Sequence, residues 1–227
     1  IKAYTNFLQM NGGEWRPPRC RDVRKLPFIP NETEVDQLIA GCSRKISTFL
    51  QLMKETGIRC GEAWQLKWTE FDIANRTVRI TPEKGSNPRV LGISNNLTSM
   101  LNCLPKQSVR IFGNSSLETL RRTFERQRTR LAYKLNNPRI QQITFHTLRH
   151  WKATMEYHRT KDILHVMQIL GHKNIKNTLV YTQLIQFKDD DYVCKAAKTL
   201  EQAKSLIEAG FEYICEIEGT KLFRKRK

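Results

Sequence analysis

FHTLRHWKATMEYHRTKDILHVMQILGHKNIKNTLVYTQL, residues 145–184, places His146, Arg149, His172 and Tyr181 within one short span. The stretch reads as helices broken by stops. Thr144 caps a helix running through His146 to about Tyr157, with Leu148, Trp151 and Met155 on its buried side. His146 and Arg149 are three apart and share a face. Thr160 is expected to cap the next helix, whose apolar stripe is Ile163, Val166, Met167 and Leu170, and Gly171 to end it. His172 follows at once, and Asn174 is expected to cap a last short helix carrying Tyr181. Cationic and hydrogen-bonding groups beside a lone phenol suggest phosphate chemistry with tyrosine as nucleophile.

Upstream the pattern is helical, then briefly extended, then helical. Asn31 and Glu34 form a capping box over Val35, Leu38, Ile39 and Cys42. Ile46, Phe49, Leu50 and Met53 repeat that spacing, and Gly57 sits where a helix-ending glycine belongs. Arg59 therefore lies just past a helix end, before a short helix with Glu62, Ala63 and Leu66. FDIANRTVRI (residues 71–80) reads as two strands around an Asn75-Arg76 turn. TPEKGSNP, with Lys84, then turns into a third strand, RVLGI. Helices follow over 94–103 and about 116–135. The expected fold is mixed and mainly α, with a small three-stranded antiparallel sheet.

The longest helix carries Arg121, Arg122, Arg126, Arg128 and Arg130 off its apolar face. Such a row is either a solvated face or a phosphate-tracking surface. The chain as a whole holds 39 Lys plus Arg against 22 Asp plus Glu, a formal charge of +17. An excess spread so widely points to a polyanion, nucleic acid before a membrane surface. No stretch is long or apolar enough to span a bilayer, and the opening residues do not read as a signal peptide. Six irregularly spaced cysteines without a CxxC pair read as reduced intracellular thiols. The start at Ile1 suggests a piece of a longer protein. Residues 1–27 read as a helix end and a Pro-rich basic linker, 28–187 as the main domain, and 188–227 as a tail. In the tail, Thr199 and Gln202 box a helix, Gly210 stops it, and a hairpin turns at Glu218-Gly219.

Cutting DNA without a metal needs three things. Phosphate oxygens must be neutralised, a nucleophile aimed in line, and a proton delivered to the leaving oxygen. Tyr181, Arg59, Arg149, Lys84, His146 and His172 can supply these roles. Each also has a plainer reading: Arg59 at a helix end, Lys84 as a solvated turn lysine, His172 as a helix cap, Tyr181 as a half-buried phenol. His146 and His150, at i and i+4, have metal-ligand spacing, with His172 as a third candidate for zinc. Against zinc, Thr147 stands where an HExxH motif has glutamate, and no acidic ligand is near.

TGIRCGEAWQLKWTEFDI, HTLRH and LGHKNIKNTLVYT together resemble the signatures of the tyrosine recombinase (phage integrase) family, over roughly residues 28–184. In that family an arginine follows a helix-ending TG with an acidic residue three later, here Arg59 and Glu62. A lysine sits in a β-turn, here Lys84. HxxR opens a helix, LGH ends the next, and the tyrosine comes nine residues on, here His146, Arg149, His172 and Tyr181. The resemblance implies the catalytic domain of a mobile-element or viral integrase, after a missing core-binding domain whose end is residues 1–27. It implies site-specific cleavage and rejoining of DNA through a 3′-phosphotyrosine. Arg59 and Arg149 bind the phosphate, Lys84 protonates the leaving 5′-oxygen, His146 and His172 hydrogen-bond the phosphate, His146 assists proton transfer, and Glu62 orients the site. No metal, ATP or other cofactor is implied, because the covalent link conserves the bond energy. The implied partners are double-stranded attachment sites and a homo-tetramer on synapsed DNA, monomer or weak dimer when free. The implied setting is the host cytoplasm, at the nucleoid. A type IB topoisomerase-like relaxing enzyme and a non-catalytic DNA-binding protein are the alternatives. The tail can dock on a neighbouring protomer or fold back on its own domain, and both readings stand.

Overall fold

The computed structural model describes residues 2–16, 26–83, 85–183, 192–217 and 219–226. Helix α1 (Lys2–Met10) precedes the stretch at 17–25, which lies outside the described residues. The main body begins with α2 (Glu32–Gly41), where the Glu34 carboxylate accepts the Asn31 N–H at 2.9 Å, as the sequence signature predicts. Helix α3 (Arg44–Thr56) is the centre of the domain and buries Ile46, Phe49, Leu50, Leu52 and Met53. Gly57 ends it at φ +63°, with its N–H on the Met53 carbonyl. A short α4 (Cys60–Gln65) follows.

Strands β1 (Phe71–Asp72), β2 (Thr77–Ile80) and β3 (Arg89–Gly92) form an antiparallel sheet in the order β1-β2-β3. Ser94 and Ser116 cap α5 (Asn95–Asn102) and α6 (Leu117–Lys134) by accepting N–H groups three residues on. Helix α7 (Phe145–Thr160) packs across α3. An aromatic cluster fills the contact: Phe49 meets Phe112 and Phe145 edge-on, and Phe145 stacks on Phe124 with centroids 4.6 Å apart. Burying each such ring is worth roughly 2–3 kcal/mol. The α3–α7 contact therefore fixes the helix that carries His146, Arg149 and His150.

The expected mainly α fold with a small antiparallel sheet is the one observed, with three differences. Helix α7 runs to Thr160, and α8 (Ile163–Leu170) is capped by Asp162, not Thr160. Lys161 takes a left-handed φ of +55°, which ends α7, so the next free N–H groups fall within reach of Asp162. The Thr160 hydroxyl bonds back to the Glu156 carbonyl instead. Second, Tyr181 lies on a 3₁₀ segment, Leu179–Gln183, while Asn174 caps a separate one, Ile175–Asn177. Third, the tail holds a second sheet. Its predicted hairpin, β5 (Glu212–Ile217) and β6 (Thr220–Arg226), is joined by β4 (Tyr192–Ala197) in the order β4-β6-β5. Helix α9 (Leu200–Glu208) covers this sheet through a small cluster of its own, Ala197, Ala203 and Phe223. Among the described residues no helix is long and apolar enough to cross a membrane, and Cys42, Cys60, Cys103, Cys194 and Cys215 are free thiols.

Candidate active site

Arg59 is the N-cap of α4, and its position is set by Glu62 one turn on. The Glu62 carboxylate accepts the Arg59 backbone N–H at 2.9 Å and its Nη1–H at 3.2 Å. The same carboxylate takes Arg89 Nη2–H at 2.7 Å and the Ser86 hydroxyl at 2.7 Å. Glu62 is fully buried, a cost that only this set of donors offsets. The hydrogen bonds from Arg89, the Arg59 backbone and Ser86 outweigh burial and hold its pKa down to about 2. Glu62 is thus ionised, and it fixes the backbone and the guanidinium of Arg59 together.

Arg149 is also buried, 2% exposed, yet among the described residues its hydrogen bonds go to carbonyls and not to a carboxylate. Its Nη1–H donates to the Gly57 carbonyl and its Nη2–H to the Leu170 carbonyl, both at 2.7 Å. These are the C-terminal ends of α3 and α8, where unpaired carbonyls and the helix dipoles are negative. Burial and the nearby Arg59 charge bring its pKa down to about 10, so it stays cationic at neutral pH. Gly171, at φ +66°, closes α8 beside it. A Cβ there would stand 2.7 Å from Arg89 Nη1 and 3.0 Å from the Asn87 carbonyl. The Asn87 N–H donates to the Gly171 carbonyl at 3.0 Å. The β2–β3 turn is thereby pinned to the end of α8 at one side and to Glu62 through Ser86 at the other. Lys84 belongs to that turn and lies outside the described residues.

The remaining predicted groups meet the two arginines. Arg149 and Arg59 both act on the charge of His146, His172 and Tyr181. His146, exposed at the start of α7, lines a cavity of about 330 Å³ with Arg59, Cys60, Arg121 and Arg149. His172 follows Gly171, and its Nδ1 lies 2.9 Å from the buried Thr178 hydroxyl. Desolvation by the neighbouring protein and the arginine charges lower the pKa of His146, although part of its ring meets solvent, and burial with the same charges brings His172 down to about 4, so His172 is neutral at pH 7. Tyr181 is 4% exposed, packed with Ala153, Val166 and Leu170, and burial raises its pKa. Its hydroxyl is 3.0 Å from Nδ1 of His150. Five residues spread from position 59 to position 181 thus share one electrostatic site, and residues 31–186 match the family model described as phage integrase.

The chain belongs to the phage integrase family. It is 25% identical over 189 residues to tyrosine recombinase XerA of Saccharolobus solfataricus, covering 82% of this chain and 62% of that protein. It is 29% identical over 185 residues to tyrosine recombinase XerC of a Pseudomonas fluorescens strain, covering 79% and 60%. The chain therefore spans about three fifths of the length of these relatives. The catalytic domain of bacteriophage HP1 integrase is 25% identical, with a TM-score of 0.54 over 81% of this chain and 95% of that one. The crystal structure of XerA recombinase, at 20% identity, shares the fold with a TM-score of 0.59 over 92% of this chain and 73% of that one.

Within this phage integrase fold the arginine row of α6 divides. Arg122, Arg126 and Arg130 are exposed, and Arg121 and Arg122 pair with Glu118 on their own helix. Arg121 also reaches the site, donating from Nη2 to Cys60 Sγ at 3.4 Å. Arg128 turns inward, donating to the Ile143 carbonyl at 2.7 Å and lying over the Phe124 ring. That places it as a brace between α6 and the start of α7. Two further residues of the site have no catalytic role in the sequence reading. Arg89 partners Glu62 across 27 positions. His150 holds the Tyr181 hydroxyl, where the i, i+4 spacing with His146 had suggested zinc. The rings of His146 and His150 stand edge-to-face, centroids 4.4 Å apart.

Proposed function

We propose that this chain is the catalytic part of a site-specific DNA recombinase that cuts and rejoins strands through Tyr181. The observation that carries the reading is the convergence of Arg59, Arg149, His146, His172 and Tyr181 on one site, each guanidinium held by partners other than a substrate. A guanidinium carries five N–H donors, and the two carbonyl bonds of Arg149 occupy two of them. The others can clamp a phosphate whose geometry suits a planar fork. Because Glu62 and the helix ends fix both arginines beforehand, little reorganisation accompanies charge development. One such donor is worth about 3–4 kcal/mol in the transition state.

In this reading Tyr181 attacks the scissile phosphorus, forming a 3′-phosphotyrosyl bond as the bond to the 5′-oxygen breaks. Lys84 protonates that oxygen from the β2–β3 turn. His146 and His172 hydrogen-bond the phosphate as neutral imidazoles. His172 has Nδ1 beside Thr178, so Nε2 is its side toward substrate. Rejoining is the reverse, with a 5′-hydroxyl attacking the phosphotyrosine, and no external energy source enters. Residues 28–187 form the catalytic domain, 1–27 the end of the preceding domain and its linker, and 188–227 a separate tail. The partners are duplex attachment sites, with a tetramer of this chain on two synapsed duplexes in the host cytoplasm, at the nucleoid. Exposed Arg121, Arg122, Arg126 and Arg130 track the duplex backbone, and a shared attachment sequence supplies specificity.

The test is covalent capture. Nicked duplexes of randomised sequence are incubated with the protein, and denaturation-resistant adducts are recovered and sequenced. Wild type should yield an adduct with a 5′-hydroxyl on the released strand and enriched flanking sequence, and Tyr181→Phe none. An adduct surviving Tyr181→Phe, or none from wild type, refutes the reading. Adducts without sequence enrichment, with relaxation of any supercoiled plasmid, indicate a topoisomerase-like enzyme instead.

A further inference from the structure

Resting on the proposed strand-transfer chemistry, we infer that His150 is a catalytic residue, the base that takes the proton from the Tyr181 hydroxyl as it attacks phosphorus. The geometry is direct. The phenol oxygen is the reacting atom, and His150 Nδ1 stands 3.0 Å from it. That is within reach for proton transfer. His146, one turn earlier on α7, contacts the His150 ring edge-to-face rather than the phenol.

Charge gives the bond its direction. Burial, His146 and Arg149 bring the pKa of His150 down to about 4, so the imidazole is neutral at pH 7. Burial raises that of Tyr181, so the phenol keeps its proton. A neutral imidazole and a protonated phenol pair with O–H donating to Nδ1, which puts the tautomeric proton of His150 on Nε2. At rest, transfer across this bond is uphill. Two changes on the reaction path reverse that. A bound phosphate brings negative charge between Arg59 and Arg149, offsetting one cause of the depressed histidine. The phenol also acidifies steeply as its oxygen bonds to phosphorus.

The step balances. The O–P bond forms while the phenol O–H bond breaks, and the proton passes to Nδ1. The P–O5′ bond breaks, and the 5′-oxygen takes a proton from Lys84. On rejoining, the imidazolium returns its proton to the departing phenolate. Nucleophile and leaving group are then served by different residues from different elements, α7 and the β2–β3 turn.

The discriminating variant is His150→Asn, whose amide oxygen can sit near the place of Nδ1 and accept the phenol hydrogen bond but takes no proton. The probe is the nicked duplex captured covalently by wild type, made also with a bridging sulfur in place of the scissile 5′-oxygen. A thiolate leaves without protonation, so this substrate bypasses the acid but not the base. On the oxygen substrate, single-turnover cleavage by His150→Asn should fall at least about 100-fold, the low end of what a removed general base costs. Lys84→Ala should also be slow. On the sulfur substrate Lys84→Ala should recover and His150→Asn should not. Thermal melting and non-covalent binding of the same duplex, unchanged in His150→Asn, show that fold and binding survive. Cleavage by His150→Asn within threefold of wild type overturns the inference, leaving His150 to position the phenol only. Recovery of His150→Asn on the sulfur substrate overturns it as well. A wild type that forms no adduct at all fails earlier, and takes the proposed function with it.

Discussion

Replacing Glu62 with glutamine removes a buried charge and leaves its partners in place. Arg89, whose side chain is 6% exposed, loses the carboxylate at 2.7 Å, and Arg59 loses its contact at 3.2 Å. The gap between an ordinary 4.5 and about 2 at Glu62 corresponds to about 3 kcal/mol at 1.36 kcal/mol per pH unit. Breaking one half of a buried pair costs about 3–5 kcal/mol, a consistent figure. The sign follows from the depressed pKa. This stabilisation is fully present above about pH 4.5 and is lost as pH falls through about 2. Urea unfolding followed by tryptophan fluorescence should show Glu62→Gln about 3 kcal/mol less stable than wild type at pH 7. The difference should narrow steadily below pH 4.5. Adding Arg89→Met should restore part of the loss, since the stranded guanidinium disappears with its partner. A loss under 1 kcal/mol at pH 7, an equal loss at pH 3.5, or strict additivity with Arg89→Met would refute the assignment of Glu62 as the charged anchor of Arg59.

His172, held near 4 against an ordinary 6.5, makes the unfolded chain the better proton acceptor between those values. Wild-type stability should therefore decline as pH drops from about 6.5 to about 4. His172→Asn should lessen that slope in urea titrations at stepped pH, leaving the share that His150 contributes over the same range. Gly171→Ala forces a β-carbon into a left-handed turn and against Arg89 and the Asn87 carbonyl. It should cost about 1–3 kcal/mol in the same unfolding assay, and an unchanged midpoint would tell against the docked turn. The tail surrounds its own cluster, so ending the chain at Asp191 should leave the main calorimetric transition within about 2 °C of wild type. A larger fall would mean that the tail buttresses the main body. Sedimentation of the same shortened chain asks separately whether the tail holds protomers together.

Much of this site is legible in the sequence because its parts sit at helix boundaries, and helix boundaries are written locally. Gly57 and Gly171 announce the ends of α3 and α8, and Thr144 announces the start of α7, so Arg59, His146, Arg149 and His172 could be placed before any packing was known. The partners of those groups were less visible. Arg89 reads as one residue of a short strand, and only the folding of the β2–β3 turn onto α4 brings it to Glu62. His150 shares a helical face with His146, and spacing alone cannot tell a metal ligand from a group facing a phenol that returns 31 residues later. The cap of α8 was missed because Thr160 and Asp162 are both good cap residues. The left-handed turn at Lys161 decided between them. Strand β4 escaped because its partner is β6, thirty residues on, with a helix and another strand between, so no local turn marks the pairing. The arginines of α6 show the same limit: helical spacing put Arg128 with the others, and a carbonyl at the end of a neighbouring segment turned it inward.

The two carbonyl bonds of Arg149 have a consequence for reading genomes. This side chain ties the ends of two helices far apart in the sequence, and removing it would strand both carbonyls in the interior. A related chain with no activity on DNA would still be selected to keep this arginine, simply to fold. Its survival in a sequence is therefore poor testimony that an enzyme still works. The Tyr181 hydroxyl is better testimony, because phenylalanine would fill the same space and forgo only the one hydrogen bond to His150.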